Sequence, residues 1–73
     1  MKVDNANKHI GESIKNNRLV ANLTQVQLAT QIGVTHAAVS YWENGVNLPN
    51  IADCIKMADV FDISLDELVG RYR

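Results

Sequence analysis

Cysteine occurs once in the 73 residues, at Cys54, so the chain cannot form an internal disulfide. With no CxxC pair and no Cys/His cluster, the fold is neither stapled nor built on zinc. No apolar run approaches the ~18 residues of a membrane span, and the opening MKVDNANKHI lacks the apolar centre of a signal peptide. The expected location is therefore cytoplasmic. Catalytic constellations are missing too: there are no paired carboxylates beside a base, no Ser/His/Asp or Cys/His set and no phosphate-cradling glycine loop. These absences argue against an enzyme and imply no metal and no cofactor. Cys54 reads as a small buried apolar side chain, because no base or cationic neighbour is evident to activate it. Repeats, low-complexity tracts and internal linkers are also absent.

Basic charge is scarce. Seven Lys and Arg stand against eight Asp and Glu, a net charge of −1. Residues 26–70 are acidic, with Lys56 alone facing Glu43, Asp53, Asp59, Asp62, Asp66 and Glu67. A protein that bound nucleic acid mainly through phosphate neutralisation would show the opposite balance.

What is present is a globular chain, 47% apolar, of a length that makes one domain. The patterning predicts an all-α protein of five helices, at about 8–21, 25–32, 36–44, 51–61 and 65–70, preceded by a flexible segment, 1–7, and followed by a polar tail, 71–73. The first helix places Ile10, Ile14, Arg18 and Ala21 along one stripe. An arginine in such a stripe needs a partner, and Glu43 is the only acid in the unit this helix must cover. An Arg18–Glu43 ion pair, partly buried, is predicted. The fourth helix offers Ile51, Cys54, Ile55, Ala58 and Phe61 as its core stripe. In the fifth, Leu65, Leu68 and Val69 are too many apolar residues for so short an element to bury unaided, so part of this surface is expected to meet a second copy of the chain.

The most organised stretch is Leu23 to Gly45. Thr24 and Gln27 form a capping box, with Leu23 and Leu28 at the spacing of a hydrophobic staple. Gly33 can take the left-handed conformation that ends a helix, and Thr35 then caps the next. Only Gly33, Val34 and Thr35 separate the two helices, a turn that brings them together steeply. On the second, Ala38, Val39 and Trp42 form a packing side, while His36, Ala37, Ser40, Tyr41 and Asn44 face out. A helix presenting small and hydrogen-bonding side chains fits the major groove of B-DNA. The competing reading is a helical hairpin whose polar face is merely solvated.

The ordered set L23-T24-Q25, L28-A29, I32-G33-V34-T35, V39-S40-Y41-W42-E43-N44-G45 and S64-L65-D66-E67-L68, with I14 and R18 ahead of it, resembles the Cro/repressor-type helix-turn-helix family, also called the xenobiotic-response-element type. The resemblance covers about residues 8–70. It implies a transcriptional regulator, a repressor first, that binds double-stranded DNA as a homodimer on a palindromic operator with helix 36–44 in the major groove. It further implies base reading by His36, Ala37, Ser40 and Tyr41, phosphate contacts from Gln25, Thr35, Asn44, Asn47 and Lys15, and pairing of Arg18 with Glu43. The chain departs from the family after Gly45, where Lys or Arg is common and Val46-Asn47-Leu48 stands. A protein-interaction module of the same fold and the antitoxin half of a toxin–antitoxin pair are the alternatives. No small-molecule ligand is evident.

Overall fold

In the computed structural model, which describes residues 3–70 and their side chains from residue 7 onward, four of the five helices start on a side chain that caps them. The elements are α1 (Val3–Val20), α2 (Gln25–Ile32), α3 (His36–Glu43), α4 (Ile51–Phe61) and α5 (Leu65–Val69), with no strand among the described residues. At the start of α2, Thr24 Oγ1 accepts from the Gln27 backbone N–H at 3.0 Å, and Gln27 Oε1 accepts from the Thr24 N–H at 2.8 Å. Ser64 and Glu67 repeat this reciprocal box on α5, at 3.0 and 2.9 Å. Thr35 caps α3 by accepting from Ala38 N at 3.1 Å, and Asn50 caps α4 by accepting from Asp53 N at 2.8 Å. Each cap satisfies a backbone donor that the first turn leaves unpaired.

The first helix begins earlier than its pattern predicts. The expected flexible segment, 1–7, is helical from Val3, and only Met1 and Lys2 lie outside the described residues. The stretch Val-Asp-Asn-Ala-Asn carries no apolar stripe, so periodicity gives no signal there although the backbone continues the helix. The tail 71–73 also lies outside the described residues. Elsewhere the predicted ends coincide with the observed ones, except that α1, α3 and α5 each stop one residue earlier, the usual uncertainty of a helix end.

The core joins Ile14 of α1, Leu28, Ala29 and Ile32 of α2, Val39 and Trp42 of α3, Cys54, Met57 and Ala58 of α4, and Leu68 of α5. The α4 stripe needs correcting. Cys54, Met57 and Ala58 face inward, with Phe61 half-buried, whereas Ile51 is 68% and Ile55 48% exposed. The buried positions are i, i+3, i+4 and i+7 counted from Cys54, so Met57 fills the place that hydrophobicity alone assigns to Ile55. Burial also pushes the Cys54 thiol above its ordinary range, with the neighbouring Asp53 charge adding to the effect.

One helical glycine explains how closely α1 sits on α3. A Cβ at Gly11 would run into the backbone carbonyl oxygen of Trp42, so only glycine lets α1 cross the end of α3 at this distance. At the other side of α1, the Ser13 hydroxyl donates to the carbonyl of Leu68 and ties α5 onto the helix. Leu68 is fully buried in this packing, so it has no surface to give to a second copy of the chain, contrary to its expected place in a dimer interface. Leu65 and Val69 keep part of their surface.

Candidate nucleic-acid interface

The turn between α2 and α3 is closed by Gly33, in the left-handed region at φ 76°, and by a backbone hydrogen bond from Val34 N to Ala29 O. It lays the apolar sides of the two helices together, Leu28, Ala29 and Ile32 against Val39 and Trp42. The opposite side of α3 is thereby turned outward. His36, Ala37, Tyr41 and Asn44 are exposed there, and Ser40 is half-buried. Ser40 and Asn44 sit one turn apart, with Asn44 Nδ2 3.4 Å from Ser40 Oγ. The only charged residue on α3 is Glu43, at its last position, and α2 carries none.

Glu43 does not face out. Its carboxylate receives Arg18 from α1 in a bidentate pair, Nε to Oε2 at 2.7 Å and Nη2 to Oε1 at 3.1 Å. The two side chains are only 10% and 3% exposed. Arg18 Nη1 donates to the carbonyl of Leu23 at 2.8 Å, so one guanidinium fixes both the end of α3 and the approach to α2. The hydrogen bond to Glu43 holds the guanidinium above its already high ordinary value, against the opposing effect of burial.

A third side chain completes this arrangement, and the sequence reading does not foresee it. Gln25, the first residue of α2, donates from Nε2 to Glu43 Oε1 at 3.0 Å, while its Oε1 lies 2.9 Å from His36 Nε2. His36 and Glu43 are seven residues apart on α3 and so share one face, along which the Gln25 amide lies. Gln25, expected to touch phosphate, thus has both its polar atoms engaged inside the chain, with one amide hydrogen and its backbone N–H left over. The clue available in the sequence was the seven-residue spacing of His36 and Glu43 beside a glutamine at a helix start.

The remaining phosphate candidates are placed as follows. Lys15 is exposed on α1, Asn47 is exposed in the loop after Gly45, and Thr35 is exposed with its hydroxyl committed to the cap of α3. The structure brings Gln25, Thr35 and His36 together at the start of α3. Among the described residues no group of three or more His, Cys, Asp or Glu could hold a metal ion, and no helix is long and apolar enough to cross a membrane.

Comparison with known proteins gives this geometry a context. Residues 14–68 match the family model described as helix-turn-helix. The chain is 40% identical over 63 residues to the cryptic phage CTXphi transcriptional repressor RstR of Vibrio cholerae serotype O1, an alignment covering 86% of this chain and 56% of that protein. It is 38% identical over 59 residues to the HTH-type transcriptional activator BcrR of Enterococcus faecalis, covering 81% and 29%. The chain thus spans about half, or less, of the length of these relatives. Among solved structures, the P22 c2 repressor protein in complex with synthetic operator 9T superposes with a TM-score of 0.79 at 27% identity, over 86% of this chain and 96% of that one.

Proposed function

Because the chain belongs to the Cro/repressor-type helix-turn-helix family, we propose that it is a sequence-specific, double-stranded-DNA-binding transcriptional regulator, a repressor in the first instance, working in the cytoplasm without catalysis. The observation that carries this reading is the division of α3: Val39 and Trp42 lock one side into the core, Arg18 holds Glu43 at the C-terminal end, and His36, Ala37, Ser40 and Tyr41 are turned to solvent. A rigid helix with an outward face of neutral hydrogen-bonding groups is suited to the major groove, where base edges present donors, acceptors and thymine methyls. In this reading Ala37 meets a thymine methyl, and His36, Ser40 and Tyr41 meet base edges. Gln25, Thr35, Asn44, Asn47 and Lys15 meet phosphates. The relatives support it, since the similar solved structure is a repressor on its operator.

The protein would act as a homodimer on a palindromic operator, each half-site taking one α3. Leu65 and Val69 would lie at the subunit contact, without Leu68. With only about two or three cationic phosphate contacts per subunit, the slope of log K against log salt for a dimer should be roughly −4 to −5 rather than −10.

A protein-interaction role has one observation in its favour. Tyr41, Val46 and Leu48, all exposed, form apolar surface around the end of α3 where cations would serve DNA better. Selection of bound sequences from a random duplex pool at moderate salt separates the readings. An enriched palindrome with half-sites about one helical turn apart is the expected result, and no enrichment above non-specific background would overturn it.

A further inference from the structure

Asn44 is the one asparagine in the chain that precedes a glycine, and the pair stands where α3 ends. In such a pair the backbone nitrogen of the glycine can attack the side-chain carbonyl carbon of the asparagine. A residue without a Cβ neither shields that nitrogen nor resists the turn the attack requires. The surroundings are open. Asn44 is exposed, its backbone has left the helical region at φ −90° and ψ 1°, and Val46, Asn47 and Leu48 after it are exposed as well. Its side-chain amide makes one long contact, Nδ2 to Ser40 Oγ at 3.4 Å, whereas Asn50 commits its Oδ1 to the cap of α4 and Asn17 donates to the Ser13 carbonyl.

Two backbone bonds close the turn, Gly45 N to Trp42 O at 3.1 Å and Val46 N to Tyr41 O at 2.9 Å. The first occupies the N–H that must lose its proton, so the turn has to open before the attack. Opening of this kind is least costly at helix ends.

We propose that Asn44-Gly45 is a self-modifying site, which deamidates when this turn opens and leaves a carboxylate in place of a group that contacts phosphate. The Gly45 nitrogen bonds to Asn44 Cγ while its proton passes through water to Nδ2; the Cγ–Nδ2 bond breaks and ammonia leaves, closing a cyclic imide. Water then adds to either imide carbonyl and reopens the ring, as an aspartyl residue or as an isoaspartyl residue through whose side chain the backbone now runs. No electrons are transferred, and water is the only co-reactant.

The consequence rests on the assignment of Asn44 to phosphate. Both products set a negative charge against the DNA backbone, in a chain whose net charge of −1 leaves little to offset it. The isoaspartyl form also lengthens the main chain at a crowded place, since a Cβ on Gly45 would already stand 3.4 Å from Lys8 Cα. The modification thus gives the DNA-binding form a finite lifetime. A bound operator extends it, because DNA seated on the closed turn lowers the open population.

The chemistry can be read without DNA. Folded protein incubated at mildly alkaline pH and digested should gain, at residue 44, the mass difference between an amide and an acid, with isoaspartate in the same peptide. A synthetic peptide of residues 40–48, the unfolded control, should convert faster, and Asn44→Gln should not convert in the same time. A folded chain still amidated after that peptide has fully converted would overturn the proposal. Asn44→Asp, with its fold checked by denaturation, supplies the charge without the reaction. On a duplex from the selection it should bind about ten-fold or more weakly than the wild type, the effect of like charges brought together, and the same duplex should slow conversion of the wild type. Equal affinity of the two would overturn the consequence for binding. Conversion at residue 44 with no duplex enriched would instead remove the DNA reading and leave the modification site standing.

Discussion

The two ends of α3 are held by the same glutamate in different ways. At the C-terminal end Glu43 is buried and paired with Arg18, a charge against a charge with almost no water between them. At the N-terminal end His36 is exposed and connects to Glu43 only through the neutral amide of Gln25. The first arrangement concerns stability, since separating a desolvated pair strands a charge. The second concerns orientation, since a solvent-exposed neutral hydrogen bond adds little to folding yet fixes how the imidazole is turned. The proposed reading of DNA by α3 needs both: an end that cannot move and an end whose side chain is oriented.

The strongest way to break the contrast is at Glu43. Glu43→Ala leaves the Arg18 guanidinium buried without its anion and removes the acceptor of Gln25, and should destabilise the fold by about 3–5 kcal/mol in urea denaturation. Replacing both partners, Arg18→Met with Glu43→Leu, should recover much of that loss, because the cost comes from the stranded charge. If the single and double variants are equally unstable, the pair is not what anchors this end. The pH dependence follows from the raised Arg18 value: a cation whose folded-state value is raised contributes fully below its ordinary value and loses that contribution only as pH rises through the folded one. This cation therefore adds no slope to stability between neutral and moderately alkaline pH, which thermal melts across that range would check.

A smaller effect is expected where α1 crosses the same end. Gly11→Ala places a methyl against the Trp42 carbonyl, and backbone cannot move aside as a side chain tip can. The loss should be about 1–3 kcal/mol even though alanine is the better helix former. A neutral or stabilising result would show that α1 is free to lift from α3. At the opposite end, Thr35→Ala removes the hydroxyl that accepts from Ala38 N and should cost about 1 kcal/mol by denaturant titration. A cost as large as that of Glu43→Ala would erase the distinction between the ends.

Much of this was legible in the sequence because it depends on short spacings. The capping boxes at Thr24 and Ser64, the turn at Gly33 and the Arg18–Glu43 pair follow from cap chemistry and from the need of a charge in an apolar stripe for a partner. The α4 stripe departs from its pattern because Ile55 outranks Met57 in hydrophobicity, whereas the angle at which α4 meets the core decides which of them is buried. The helical start at Val3 carried no apolar signal, and the burial of Leu68 depends on α1 and α5 meeting across most of the chain. The bridge made by Gln25 is hidden for a similar reason: a glutamine at a helix start looks like a free polar group until the packing of α2 on α3 places Glu43 and His36 at its two ends.

The smallest effect on folding should come from Gln25→Met, and this makes it the sharpest probe of the comparison. The side chain spans the two ends, so its removal takes one hydrogen bond from each. At the buried end Glu43 keeps both bonds to Arg18, and at the exposed end water replaces the Gln25 carbonyl at His36 Nε2. Net loss of such bonds is about 0.5–1.5 kcal/mol apiece at most and less where water substitutes, so the change in denaturation midpoint should be well below that of Gly11→Ala. The exposed end should nevertheless loosen, because nothing then holds the His36 ring in one orientation. A destabilisation matching Glu43→Ala would mean that Gln25 is part of the anchor; stability near wild type with a His36 ring that NMR shows averaging between rotamers would mean that α3 separates the two tasks along its length.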